Sequence, residues 1–480
     1  MSLNPLVKPA KTRSAPLRIA RRDVFAAAFL MVATGLAAHA ETLGVPQRLA
    51  KGIFQELVDI NTVSETGDTG RAADAMAARL RAEGFSGSDV QVFKPSPRKG
   101  NLVARLRGSG TRKPILLLAH MDVVPANPED WSLDPFKFIE KDGYFYGRGT
   151  SDDKAMAANL ISNLIRYKRE GYKPDRDIIV ALTADEEIGG RWGVQWLVKN
   201  QRELIDAEFA LNEGGGVTLR NGKPFRVNIQ TAEKITVNFR LEVTNKGGHS
   251  SLPTPDNAIY RLAEGLSRLA KFSFPVNLNP TTRASFESIA EIESPRTAGD
   301  IRSVLSDRPD PAALSRLSAN TAYNAQLRTT CVPTLLEGGQ AANALPQAAR
   351  ATINCRILPG EATEDVRTAL VRALADDQIS VAHPAQAALP APSDRNEELW
   401  SAIEKTAAEF WPGTPVVPVM VPGSTDGRFL RDAGIPTYGH TGLASGEVSA
   451  HGKDERVMVT SFLESGEYLY RLVKRLSERR

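Results

Sequence analysis

Apolar residues recur at helical spacing around residues 47–60, 70–83, 154–169, 257–271, 363–376, 396–409 and 458–477, predicting amphipathic helices. Between them, uninterrupted apolar runs at Ile115–Ala119, Ile178–Thr183 and Phe209–Leu211 read as strands buried on both faces, as in a parallel sheet. Strands alternating with helices predict an α/β sheet with helices on both faces. The pattern changes near Thr231. Ile235–Thr244 and Ala351–Leu358 alternate strictly, each like a strand with one covered face. A smaller antiparallel sheet carrying helices on one side is therefore expected, inserted over 232–385 and followed by the proline-rich linker Pro384–Pro392. It splits a larger domain into 41–231 and 386–480. Residues 280–330 show no clean period.

Composition narrows the class without deciding it. Of 480 residues, 42% are hydrophobic and 24% charged, which excludes collagen-like, mucin-like and wholly disordered chains. The net charge of +4 comes from residues 1–40, with six Lys/Arg and one acid; the remainder carries −1, and nothing suggests nucleic-acid binding. That basic stretch leads into the uncharged Val24–Leu36 and then Ala38-His39-Ala40, the parts of a secretory signal in residues 1–40, cleaved after Ala40. Thirteen residues are short for a bilayer span, which disfavours a stable membrane anchor; an uncleaved anchor is the alternative. Arg21-Arg22 resembles a twin-arginine export signal. Export to the periplasm or beyond implies an oxidising compartment, where Cys331 and Cys355 either pair or remain buried thiols.

The candidate chemistry gathers at the ends of the apolar strands. His120 follows Ile115–Ala119 and opens His120-Met121-Asp122, where α/β sheets place their sites. Asp122 can accept the other ring N–H of His120 and fix its tautomer. Gly147-Arg148-Gly149-Thr150-Ser151-Asp152-Asp153-Lys154 leads into a helix; its glycines allow a tight turn, although helix capping alone would also explain the aspartates. Asp185-Glu186-Glu187 follows Ile178–Thr183, and Asn212-Glu213-Gly214 follows Phe209–Leu211. His451 lies near the C-terminus. Singly, each has a bland explanation. Together, two histidines and several carboxylates suit a pair of divalent cations such as zinc, bridged by a carboxylate.

This ordered set resembles the di-zinc metallopeptidases of the aminoacylase, carboxypeptidase G and succinyl-diaminopimelate desuccinylase family, from about residue 45 to the C-terminus. The resemblance implies a zinc-aminopeptidase-type catalytic domain with an inserted α+β, ferredoxin-like lid that pairs two subunits. It implies two Zn2+ per subunit, replaceable by Co2+ or Mn2+. His120 and His451 would bind one each, Asp152 would bridge, and Glu187 and Glu213 would complete the sites. Many relatives have Asp where this chain has Asn212, so either Asn212 or Glu213 faces the metal; Glu213 is the expected ligand. Glu186 would be the general base, taking a proton from water and returning it to the leaving amine, with Asp122 orienting His120. In Gly247-Gly248-His249-Ser250-Ser251, His249 would reach the opposite subunit's site. Asn343 would bind substrate, and Arg356 or Arg428 would hold its carboxylate.

The expected activity is carboxypeptidase or dipeptidase cleavage of a small peptide next to a free carboxylate, with a lean towards the carboxypeptidase-S-like branch. N-acyl-amino-acid deacylation is the alternative. Ester or ureido substrates, and a non-catalytic exported binding protein, are more remote.

Overall fold

The computed structural model describes residues 43–480 apart from 384–389, 448 and 479–480. The proposed signal segment and most of the expected linker lie outside the described residues. Each predicted helix is present, as Val45–Asp59, Thr69–Ala82, Lys154–Arg169, Ala258–Leu269, Thr363–Leu374, Glu397–Phe410 and Val459–Ser477. No helix among the described residues is long and apolar enough to cross a membrane.

The three apolar runs lie in a ten-stranded sheet. Ile178–Thr183, Ile115–His120, Phe209–Asn212 and Thr437–Gly439 are adjacent in that order and mutually parallel. The first two are buried at every position, because helices cover both faces. Helices Val45–Asp59, Lys154–Arg169 and Val459–Ser477 supply one covering layer through Phe54, Ile161 and Phe462. A separate cluster on Leu116, Leu118, Ile179 and Leu197 seals the other face. Four chain segments therefore end together at the carboxyl edge of the sheet.

The strictly alternating segments form a second sheet, and their burial alternates residue by residue. Thr330–Gly338, Ala348–Ile357, Ile235–Thr244 and Ser380–Ala382 are adjacent in that order and antiparallel. Helices Ala258–Leu269 and Thr363–Leu374 pack on one face through Leu262 and Leu370. This strand order with two crossing helices is the ferredoxin-like arrangement. Cys331 and Cys355 stand opposite one another on neighbouring strands and form a disulfide.

The unreadable stretch is helical. Pro280–Ala290, Pro295–Leu305, Pro311–Ala319 and Thr321–Leu327 are four short helices, capped by Asn279, Ser294, Asp310 and Asn320. Their cluster packs on Val417 of strand Val416–Val421, which pairs with the large sheet. They sit outside the small sheet's core, so the inserted segment carries more than the expected sheet and its helices.

Candidate active site

Three parallel strands deliver the first residues. His120 is the last residue of its strand, opposite Thr183. Beyond Thr183 the chain turns sharply at Asp185, whose φ of 72° is unusual for a residue with a side chain. That turn is braced from the neighbouring strand Lys99–Leu106. Lys99 Nζ lies 2.8 Å from Asp185 Oδ1, and Asn101 accepts from Ala184 N at 2.9 Å while donating to Trp192 O at 2.8 Å. Glu186 and Glu187 then donate their main-chain N–H groups to the Asp122 carboxylate at 3.1 and 3.2 Å. Ser64 Oγ donates to it as well, at 2.7 Å.

Asp122 thus acts mainly on the acidic turn. The ring Nδ1 of His120 lies 2.9 Å from the main-chain oxygen of Asp122 and 3.7 Å from its carboxylate, so the tautomer is fixed by the backbone carbonyl rather than by the expected side chain.

Asp152 arrives on the glycine-rich turn. Gly147 and Gly149 have φ of 146° and 87°, and a Cβ at either would fall within 2.7 Å of Val58 or Val123. The turn is held by Glu455, whose buried carboxylate accepts from the N–H groups of Gly149, Ser151 and Asp152 and from Arg148. Simple capping does not account for the aspartates. Asp153 precedes helix Lys154–Arg169 without a side-chain cap, and Asp152 faces the histidines. Asp152 Oδ1 is 2.8 Å from His120 Nε2, and its Oδ2 is 3.2 Å from His451 Nε2. Glu213 Oε1 lies 3.8 Å from His120 Nε2, and Glu187 Oε2 lies 3.0 Å from His451 Nε2. His451 is exposed and holds a φ of 62°, backbone strain of the kind found at functional sites.

The geometry separates Asn212 from Glu213. Asn212 points its amide at Thr425 Oγ1, 3.1 Å away in a buried network with Glu233 and Arg431. Glu213 points into the cluster.

The electrostatics follow from crowded acids. Burial disfavours a charged His120, but its hydrogen bond to Asp152 and the charges of Glu213 and Asp152 raise it well above the usual imidazole range. Bonds to Asp152 and Glu187 raise His451 to about 10. Burial, with Asp152 close by, pushes Glu213 well above the usual carboxyl range, and burial does the same to Glu186. Asp426, which accepts a hydrogen bond from Thr183, is buried and raised to about 7 by that burial. Positive charge is short here. The donor set fits two divalent cations, since His120, Asp152 and Glu213 form one group and Asp152, Glu187 and His451 another, each with ligand atoms within 4.8 Å of one another.

The substrate-binding candidates fall in two places. His249 and Asn343 are both exposed and lie side by side where Gly248–His249 pairs with Ala344–Leu345; Ser250 N donates to Asn343 O at 3.1 Å. The ring of His249 contacts Ser251, and neither residue lines the cleft beside Asp152. Arg356 and Arg428 come close enough that, after burial, the charge of Arg428 is the force lowering Arg356. Among the described residues neither makes a salt bridge, and Arg428 Nε is buried without a hydrogen-bond partner.

The sequence pattern of Peptidase family M20/M25/M40 matches residues 116–475. The chain belongs to this family. It is 31% identical over 358 residues to the N-fatty-acyl-amino acid synthase/hydrolase PM20D1 of Xenopus tropicalis, covering 72% of this chain and 69% of that one. A probable carboxypeptidase S-like 2 of Dictyostelium discoideum is 31% identical over 377 residues, covering 75% and 71%. Among solved structures, an M20 family metallo-carboxypeptidase from Sulfolobus solfataricus superposes with a TM-score of 0.67 at 18% identity, covering 89% of this chain and 99% of that one, which establishes the shared fold. This M20 protein is a metallopeptidase or amidohydrolase, and the acidic cluster at its sheet edge is the candidate centre. Glu455, Lys99 and Asn101 escaped the motif reading. Glu455 lies four residues past His451 in the same run, while Lys99 and Asn101 carry no local pattern.

Proposed function

We propose that this M20 hydrolase cleaves an amide bond whose amine half carries a free carboxylate, at the C-terminus of a small peptide or in an N-acyl amino acid. The observation that carries the reading is the convergence of two cation-binding groups on Asp152 beside Glu186, which belongs to neither group. Zinc is the proposed cation, held by His120, Asp152, Glu187, Glu213 and His451. Bound there, it would supply Lewis acidity that makes water a nucleophile at neutral pH. Glu186 takes the proton from the attacking water and delivers it to the leaving nitrogen. Arg356 and Arg428, which make no salt bridge among the described residues, hold the substrate carboxylate. Converting that carboxylate to a methyl ester or primary amide should lower kcat/KM by about ten- to a hundredfold, the value of one or two charge-assisted hydrogen bonds. Equal turnover of free and blocked substrates would contradict the reading. Both relatives named above act on this bond class by their names, a deacylase-type hydrolase and a carboxypeptidase.

The ferredoxin-like segment is proposed to be a lid that joins two copies. Its edge strand Thr330–Gly338 is exposed almost throughout, with Leu335 and Leu336 at 63% and 69% exposure. His249 would then reach the cleft of the second copy. Replacing Leu335 and Leu336 together by lysine should yield monomers in analytical ultracentrifugation. A dimer that persists unchanged would reject this interface.

Export, with a mature chain beginning at Glu41, is supported by the basic, apolar and small-residue pattern of residues 1–40 and by the Cys331–Cys355 disulfide. N-terminal sequencing of protein recovered outside the cytoplasm should read Glu41 first; an intact Met1 would rule out cleavage.

A further inference from the structure

The main chain crosses from the large sheet to the small one at Glu233-Lys234-Ile235, where strand Lys223–Glu233 ends and strand Ile235–Thr244 begins. The two charged side chains at this crossing serve different domains. Glu233 accepts from Thr425 N and Thr425 Oγ1 at 2.7 and 2.8 Å and pairs with Arg431, all in the last part of the chain. Lys234 reaches the inserted segment instead. Its Nζ donates to the main-chain oxygen of Arg328 at 2.6 Å and lies 3.5 Å from Thr330 Oγ1.

Lys234 is wholly buried, yet it makes no salt bridge among the described residues. Burial, with Arg356 and Arg328 close by, lowers it to about 8 against the opposing pull of Glu361. An ammonium in such a place costs more than an apolar side chain of similar length, so packing alone does not account for a lysine.

Its contacts lie at the roots of both arginines assigned to the substrate carboxylate. Thr330 stands opposite Arg356 on one neighbouring strand, and Thr236, two residues past Lys234, stands opposite it on the other. The main chain of Lys234 is tied to the segment that leads to Arg428. Its N–H donates to Val421 O at 3.0 Å, and its carbonyl accepts from Ser424 Oγ at 2.8 Å. One residue therefore anchors two guanidinium groups that come from different sheets.

We infer that Lys234 is a positioning residue for the substrate carboxylate: it spaces Arg356 and Arg428 across the junction of the two domains, and its ammonium adds a third positive charge behind them. The inference rests on the carboxylate-binding part of the function proposed above and adds the residue that sets the geometry. A clamp split between two domains depends on such a spacer, because a shift of about 1 Å spoils the alignment of a guanidinium with a carboxylate.

The test is steady-state kinetics of the metal-loaded full chain on the N-acyl amino acid or dipeptide that wild type cleaves best, and on its primary amide. Lys234→Met keeps most of the side-chain length and every main-chain bond, and removes the charge. KM for the free acid should rise about tenfold, the worth of one hydrogen bond to a charged group, with kcat and the amide's kcat/KM within about twofold of wild type. The free amino acid product should also inhibit this variant about tenfold more weakly. Ser424→Ala, which unties the Arg428 segment without touching the ammonium, should lower the acid-to-amide ratio of kcat/KM in the same direction, and it decides the matter if Lys234→Met does not fold. Equal losses on acid and amide, or a ratio unchanged in both variants, would overturn the role of Lys234 and leave the arginine clamp standing. A wild type that cleaves acid and amide equally well would overturn the clamp and this inference together.

Discussion

Replacing Glu186 by glutamine should lower kcat by about 10²- to 10⁴-fold while leaving bound metal unchanged. The turn Glu186–Ile188 is held through the main-chain N–H groups of Glu186 and Glu187 on Asp122, so the side chain of Glu186 is free of structural duty. Among the described residues its carboxylate makes no hydrogen bond, and it belongs to neither cation-binding group. Glutamine keeps the shape and removes the ability to accept a proton. Glu187→Gln should behave differently, losing metal together with activity, because Glu187 lies against His451. Steady-state kinetics with metal analysis by mass spectrometry separates the two. A Glu186→Gln enzyme retaining more than about a tenth of wild-type kcat would remove Glu186 from the role of base.

The second large effect concerns stability and comes from a residue outside the cation-binding groups. Glu455 is almost fully buried and accepts from Arg148 at 2.7 Å, Ser151 N at 2.8 Å, Gly149 N at 3.0 Å and Asp152 N at 3.2 Å. Glu455→Ala strands a buried guanidinium and several main-chain donors at once. The expected loss is about 3–5 kcal/mol in urea unfolding, as for a buried ion pair deprived of one partner. The exposed pair Arg169–Glu83 should be worth less than about 1 kcal/mol by the same measurement. Because the clamped turn also aims Asp152, Glu455→Gln, which can still accept some of these bonds, should fold better yet bind metal about 10- to 100-fold more weakly. If Glu455→Ala unfolds within about 1 kcal/mol of wild type, the clamp has been overvalued.

The contrast between what the chain discloses and what it conceals has a physical basis. Buried parallel strands and amphipathic helices leave long apolar runs or helical periods, so the large sheet and its covering helices are legible in the amino-acid sequence. The small antiparallel sheet is legible for the same reason, through strict alternation in Ile235–Thr244 and Ala351–Leu358. Residues 280–327 were not, because each helix is too short to show a period. Their real signature is local: Asn279-Pro280, Ser294-Pro295 and Asp310-Pro311 each place a capping side chain before a proline in the first helical turn. At the site, residues within a motif were legible and their braces were not. Lys99 reaches Asp185, and Arg148 reaches Glu455, across long separations that leave no spacing to read. The Asn212–Glu213 ambiguity is a question of which side each neighbour faces. Successive side chains at a strand end point to opposite sides, and only the backbone shows that Asn212 takes the Thr425 side.

The central claim is that five side chains from distant segments form two cation sites sharing Asp152. Anomalous diffraction at the zinc edge, on crystals of the zinc-loaded protein, tests it most directly. The account predicts two peaks roughly 3.5–4 Å apart, one against His120 and Glu213 and the other against Glu187 and His451, with Asp152 touching both. A single peak, or peaks away from these residues, would contradict it.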